Sequence, residues 1–189
     1  MLDQWDAAFP NCEPIAHLMR EQFRERWVRF HSLPESKRYP QNESEMQTVL
    51  SRHNTILGEL LGGGRAVVLL TTGYSEMAGS ALRYPELEAL DPSAVPWRVV
   101  PGHRSDGGED GYYWHVSASE RTWRLGTFDP LVRLIADGTI ANVMMVHPGC
   151  RWMLHPYDGG MDVILESTAA RGRLKSLHRE WLSARADGM

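Results

Sequence analysis

The chain has 189 residues, a net charge of −4, 42% hydrophobic and 23% charged residues. That is the composition of an ordinary globular protein with room for one domain and a substantial core, without the basic excess of a general nucleic-acid binder. The longest apolar run, residues 66–70, falls far short of the about 20 residues that a membrane span requires. Two cysteines, Cys12 and Cys150, are too few for a disulfide framework or a four-cysteine zinc site and read as small buried thiols. With no basic and apolar leader at the N-terminus, a cytoplasmic protein is expected, with no cofactor and no metal.

In chain order, Asn11 is placed to cap a first helix over about 12–25, where Ile15, Leu18, Met19 and Phe23 repeat at helical spacing. Residues 27–31 alternate as a short strand. Asn42-Glu43-Ser44-Glu45 is a capping box ahead of a helix carrying Met46, Val49, Leu50, His53, Ile56, Leu57 and Leu60, and Gly62–Gly64 end it. Residues 65–73 read as a buried strand, apolar on both faces. The proline-punctuated stretch 74–96 is expected to be loop with one short helical turn, 97–100 a strand, and 101–111 a polar, glycine-rich loop. Residues 112–117 and 121–125 are expected to form a hairpin about Ala118-Ser119-Glu120. Asp129 caps a helix over 130–136 with proline at its first position, and Asp137-Gly138 stops it. Strands over 141–147, 151–156 and 161–166 follow. Ser167 or Thr168 then caps a last helix with Leu174, Leu177, Trp181 and Leu182. Helix-rich early and meander-like late, this order predicts a single α+β domain with a mixed or mainly antiparallel sheet and helices packed on one side.

The densest run of polar groups is 147–162, where His147, His155, Asp158 and Asp162 sit between strand-forming residues. If Asp158-Gly159 form a type I′ turn, Tyr157 pairs with Gly160, Trp152 with Leu165, and His155 faces Asp162. If Gly159-Gly160 turn instead, Tyr157 faces Asp162 and His155 faces Ile164. Both registers keep the apolar faces together, so the pattern admits either. In the first, the Cβ atoms of His155 and Asp162 stand about 4.5–5.5 Å apart, so the carboxylate could orient the imidazole as a general base. The structural alternative is that the two groups merely satisfy each other. A turn about Gly149-Cys150 places His147 opposite Trp152 and about 10 Å from His155, too far for a shared metal.

Residues 26–40 hold four cations and three aromatics, a composition typical of binding surfaces. Arg29, His31, Lys37, Arg38 and Tyr39 are therefore candidate contacts for an acidic partner or anionic ligand. Arg151, Tyr157 and Asp158 join them from the second segment, with Arg151 or Tyr157 steadying an anionic group. Other motifs are absent. Gly62-Gly63-Gly64 precede a strand rather than a helix, the reverse of a phosphate-binding loop, and no GxSxG elbow occurs. His31, His53, His103, His115 and His178 lack metal-ligand spacing, and His53 and His115 read as packing residues. Asp106, Glu109 and Asp110 lack the alternation of a calcium loop.

Leu33-Pro34-Glu35-Ser36-Lys37-Arg38-Tyr39-Pro40 and Tyr157-Asp158-Gly159-Gly160-Met161-Asp162-Val163-Ile164 resemble segments of uncharacterised bacterial domains found as small cytoplasmic proteins. Some such proteins are encoded beside toxins and act as immunity proteins by covering the toxin's active surface. The resemblance implies a non-enzymatic, protein-binding role. The competing expectation is a small hydrolase, or an enzyme binding an anionic ligand, built on His155 and Asp162.

Overall fold

Seven strands, β1 (Trp27–His31), β2 (Ala66–Ser75), β3 (Val95–Gly102), β4 (Tyr112–Thr122), β5 (Val143–Val146), β6 (Trp152–Tyr157) and β7 (Gly160–Leu165), form one sheet. All neighbours are antiparallel, in the order β1-β7-β6-β5-β2-β4-β3. The computed structural model describes residues 3–79, 83–102 and 111–185. His103, Asp106, Glu109 and Asp110 lie outside the described residues. The α+β architecture read from the sequence holds, with a wholly antiparallel sheet.

Strand alternation divides the core into two layers. Val28, Phe30, Val67, Leu69, Leu154 and Val163 face four helices, α3 (Glu43–Leu61), α4 (Pro85–Leu90), α5 (Asp129–Ala136) and α6 (Thr168–Leu177). The opposite face, with Val68, Leu70, Met144, Met153 and Ile164, is covered by the N-terminal segment. That segment contains two short helices, α1 (Trp5–Ala8) and α2 (Ala16–Gln22). Trp5, Trp27 and Trp152 are buried, while Trp97, Trp114, Trp123 and Trp181 are half-buried. No helix among the described residues is long and apolar enough to cross a membrane.

Local signals explain the helix ends well. Asn42 Oδ1 accepts from Glu45 N at 3.0 Å, and Gly62 closes α3 in the left-handed region at φ 53°. The Glu45 carboxylate reaches Gln41 N rather than Asn42 N, at 2.7 Å. Ser167 caps α6 by accepting from Ala170 N at 3.2 Å. Both open edges of the sheet are blocked against a further strand. Arg171 Nε and Arg52 Nη1 donate to the β1 carbonyls of Trp27 and His31 at 3.0 and 2.7 Å. At the other edge β3 carries Pro96 and Pro101 and an irregularity between Pro96 and Arg98.

Four local expectations are corrected. Asn11 is no helix cap: it lies at φ 54°, and α2 starts only after Pro14, which disfavours helix in the residue before it. The hairpin about Ala118-Ser119-Glu120 does not form, because β4 runs straight through it and pairs with β2 from Thr122 to Tyr113. Ala118 and Ser119 are buried there, and Ser119 Oγ donates to the buried Asp91 carboxylate. At α5 the cap position falls on Phe128, and Asp129 instead accepts from Asn54 Nδ2 at 2.7 Å. Finally, α6 ends at Leu177, so Trp181 and Leu182 fall in and just after a separate 3₁₀ turn.

The β6–β7 register is the one with Tyr157 opposite Gly160 and His155 opposite Asp162. Its turn is not type I′, since neither Asp158 nor Gly159 is left-handed. A two-residue turn with neither residue left-handed splays a hairpin, so contacts from outside must hold this one. Gly159 O accepts from Ser32 N at 3.1 Å, and Asp158 is gripped by Arg38 and Tyr39. Beside the turn, β1 comes so close that a Cβ on Gly160 would stand 2.2 Å from Phe30 O and 2.9 Å from Tyr157 Oη. Gly160→Ala is therefore expected to cost about 2–3 kcal/mol, the scale of overpacking. Gly172→Ala, in α6 with nothing within 4 Å of the added Cβ, should gain about 0.5–1 kcal/mol. Urea unfolding of both variants checks this, and a harmless Gly160→Ala would contradict the close approach.

Candidate functional site

Because β7 pairs with β1 on one side and β6 on the other, Arg29, Asp162 and His155 fall in one cross-strand row. Side chains directly opposed in an antiparallel sheet stand within reach of one another. Asp162 Oδ1 accepts from Arg29 Nε at 2.8 Å and Oδ2 from Nη2 at 3.0 Å, a bidentate pair. The two side chains are only 14% and 6% exposed, so this is a desolvated contact rather than a surface ion pair. The guanidinium also lies 5.4 Å from the Trp27 ring and 4.9 Å from the Tyr157 ring. Burial raises the Tyr157 phenol above its usual range.

His155 takes a different partner from the expected one. Its Nδ1 lies 2.8 Å from Val143 O. A carbonyl can only accept, so the proton sits on Nδ1 and the lone pair on Nε2. Burial is the main cause that lowers its pKa, with Asp162 opposing, which keeps the ring neutral near pH 7. Register thus brings His155 and Asp162 face to face, yet the carboxylate's hydrogen bonds go to Arg29.

The rim of the hairpin is a second polar cluster. Arg38 Nε and Tyr39 Oη both donate to Asp158 Oδ2, at 2.9 and 3.0 Å. The Arg38 guanidinium lies 5.3 Å from the Tyr39 ring. The Arg38 side chain is 64% exposed and Tyr39 is 49% exposed. Hydrogen bonding to Asp158 is the main cause that raises the pKa of each. The loop that presents them is conformationally tense, since Glu35 and Ser36 are both left-handed at φ 55° and 57°. Such residues cost about 1–2 kcal/mol each. Lys37 is tied to the start of α3 through Glu45, at 2.6 and 2.7 Å.

The remaining predicted residues are dispersed. His31 lends its carbonyl to Arg52, and its Nε2 is buried without a partner. Arg151 lies at the opposite end of β6 from Tyr157, about 20 Å away along the strand, with Nη2 2.9 Å from His147 Nε2. It cannot share an anion with Tyr157. Two clefts, of about 260 and 170 Å³, are lined by other residues than His155, Asp162 and Tyr157. Among the described residues, no group of three or more His, Cys, Asp and Glu side chains could hold a metal ion. Sequence reasoning missed the Arg29–Asp162 pair, whose partners lie 133 residues apart.

Residues 15–186 match the family described as a domain of unknown function (DUF3885). No curated protein and no solved structure matches the chain.

The histidines make stability depend on pH. His53 is buried in α3, with Nδ1 2.8 Å from Val49 O, and burial lowers its pKa from 6.5 to about 4. His31, His147, His155 and His178 are lowered too, each chiefly by burial. The unfolded chain therefore takes up protons that the folded chain refuses. Stability is full above about pH 7 and falls as pH drops through 6.5, with the His53 share complete only near pH 4. That share is on the order of 3 kcal/mol. Urea midpoints should fall from pH 7.5 to pH 5, less steeply in His53→Gln; a flat profile would contradict neutral buried rings.

Proposed function

We propose that this chain, which belongs to the DUF3885 family of domains of unknown function, acts by binding another protein, and does so through the hairpin rim. The observation that carries this reading is the joint seating of Arg38 and Tyr39 on Asp158 Oδ2 while both remain exposed. Arginine and tyrosine are the side chains that most often dominate protein interfaces. Held in place beforehand, they lose little conformational freedom when a partner arrives. The tense backbone at Glu35 and Ser36 supports the same reading, because strain of this kind concentrates at binding segments. With Arg29, Lys37 and Arg38 each on a carboxylate, the partner is recognised by shape and aromatic contact more than by a bulk anion. A toxin-neutralising role in a bacterial cytoplasm is the specific form of this reading.

The test is capture from the native host's lysate by the immobilised protein. Wild type should retain a defined partner, and Arg38→Ala with Tyr39→Ala should weaken it by about 2 kcal/mol or more, the scale of interface hot spots. The melting temperature should fall by only a few degrees, since the two side chains are exposed and the Ser32 contact to the turn remains. Retention of the same partner by the double variant would sink the proposal.

A second reading rests on His155, whose neutral ring carries its lone pair on Nε2. Such a ring can act as a general base without help from Asp162. It predicts hydrolysis of p-nitrophenyl acetate or p-nitrophenyl phosphate that His155→Gln abolishes. Equal rates for the two proteins would end it.

A further inference from the structure

We infer that a cleft of about 260 Å³ between α6, the end of α3 and the adjoining ends of β6 and β7 binds a small apolar zwitterion of the aliphatic α-amino acid class. The cleft lies at the opposite end of β6 from the Arg38–Tyr39 rim, so it is independent of the function proposed above. Four charged side chains line it, each from a different place in the fold: Glu59 of α3, Arg151 before β6, Glu166 after β7 and Arg173 of α6. Two are cations and two are anions, yet no ion pair joins one to another. No salt bridge joins Arg173 or Glu166 to another described residue, and Glu166 acts only electrostatically on His147. Arg151 is engaged by His147, and Glu59 Oε1 stands 4.0 Å from His178 Nε2.

The wall between these charges is apolar. Leu165 and Leu174 are nearly buried, and Leu177 stands 65% exposed at its edge. Trp152 forms part of the same wall, and its indole N–H is buried with no hydrogen-bond partner.

Charge balance selects the ligand. A simple anion would satisfy the arginines and leave the two carboxylates facing it. A simple cation would do the reverse. A molecule with a carboxylate, an ammonium and an aliphatic tail uses both signs and covers Leu177. The cleft, at about 260 Å³, is large enough to admit a molecule of leucine's size.

Isothermal titration of the full chain with four probes tests the assignment. L-leucine should bind. Glycine, which lacks the tail, 4-methylpentanoate, which lacks the ammonium, and isopentylamine, which lacks the carboxylate, should each bind at least about tenfold more weakly. Arg173→Gln and Glu166→Gln should each weaken leucine by about tenfold while leaving the melting temperature and the capture of any protein partner unchanged. No detectable heat with leucine, equal binding of 4-methylpentanoate, or wild-type affinity in both variants would each overturn the proposal.

Discussion

The close approach of β1 to the start of β7 is the constraint on which the candidate site depends. Phe30 O occupies the space that a side chain at position 160 would need, so β1 can seat itself against the hairpin only because residue 160 is glycine. Once it is seated, the β1–β7 register follows, with His31 opposite Gly160 and Arg29 opposite Asp162. The β6–β7 register then adds His155 to the same row and Tyr157 to the next. A slip of one residue in either pairing would turn Asp162 towards the four-helix layer, away from its guanidinium.

The buried Arg29–Asp162 pair has to be read in that light. Two desolvated charges gain little net stability over apolar residues of the same shape. Their value is in specificity, since any register that separates them leaves a charge buried without its partner. The ion pair therefore fixes how β1 sits on β7, while of the two β6–β7 registers that the apolar pattern admits, the one that forms sets His155 opposite Asp162. The turn at Asp158-Gly159 does not make that choice by its own geometry. It lacks the left-handed residues of a type I′ turn and is held by Ser32, Arg38 and Tyr39 from another part of the chain.

The same economy of contacts decides what the two polar clusters can do. In the buried row the acidic group is already committed, and the imidazole is fixed by a backbone carbonyl instead. On the rim the arrangement is reversed: a carboxylate holds Arg38 and Tyr39 in position and leaves much of both side chains in water. A group that is locked and covered serves the fold. A group that is locked and exposed is prepared for a partner.

Much of this was legible in the residues themselves. The capping box at Asn42, the glycines after Leu61, the alternation in β1, β6 and β7, and Ser167 before α6 are local signals, and local hydrogen bonding and side-chain periodicity suffice to read them. The α+β class and the two hairpin registers followed from the same patterns. What escaped was non-local. Ala118-Ser119-Glu120 looks like a turn until ten residues of β2 pair with β4 across it. Asn11 looks like a cap until Pro14 delays the helix. The Arg29–Asp162 pair and the charged cleft assemble from segments that are far apart in the chain, and no spacing rule reaches that far. Sequence alone determined which segments could be helix or strand and which residues were candidates, because those properties are settled within a turn or two of backbone. Tertiary structure alone decided which candidates meet, because that depends on how closely β1 can approach a strand more than a hundred residues away.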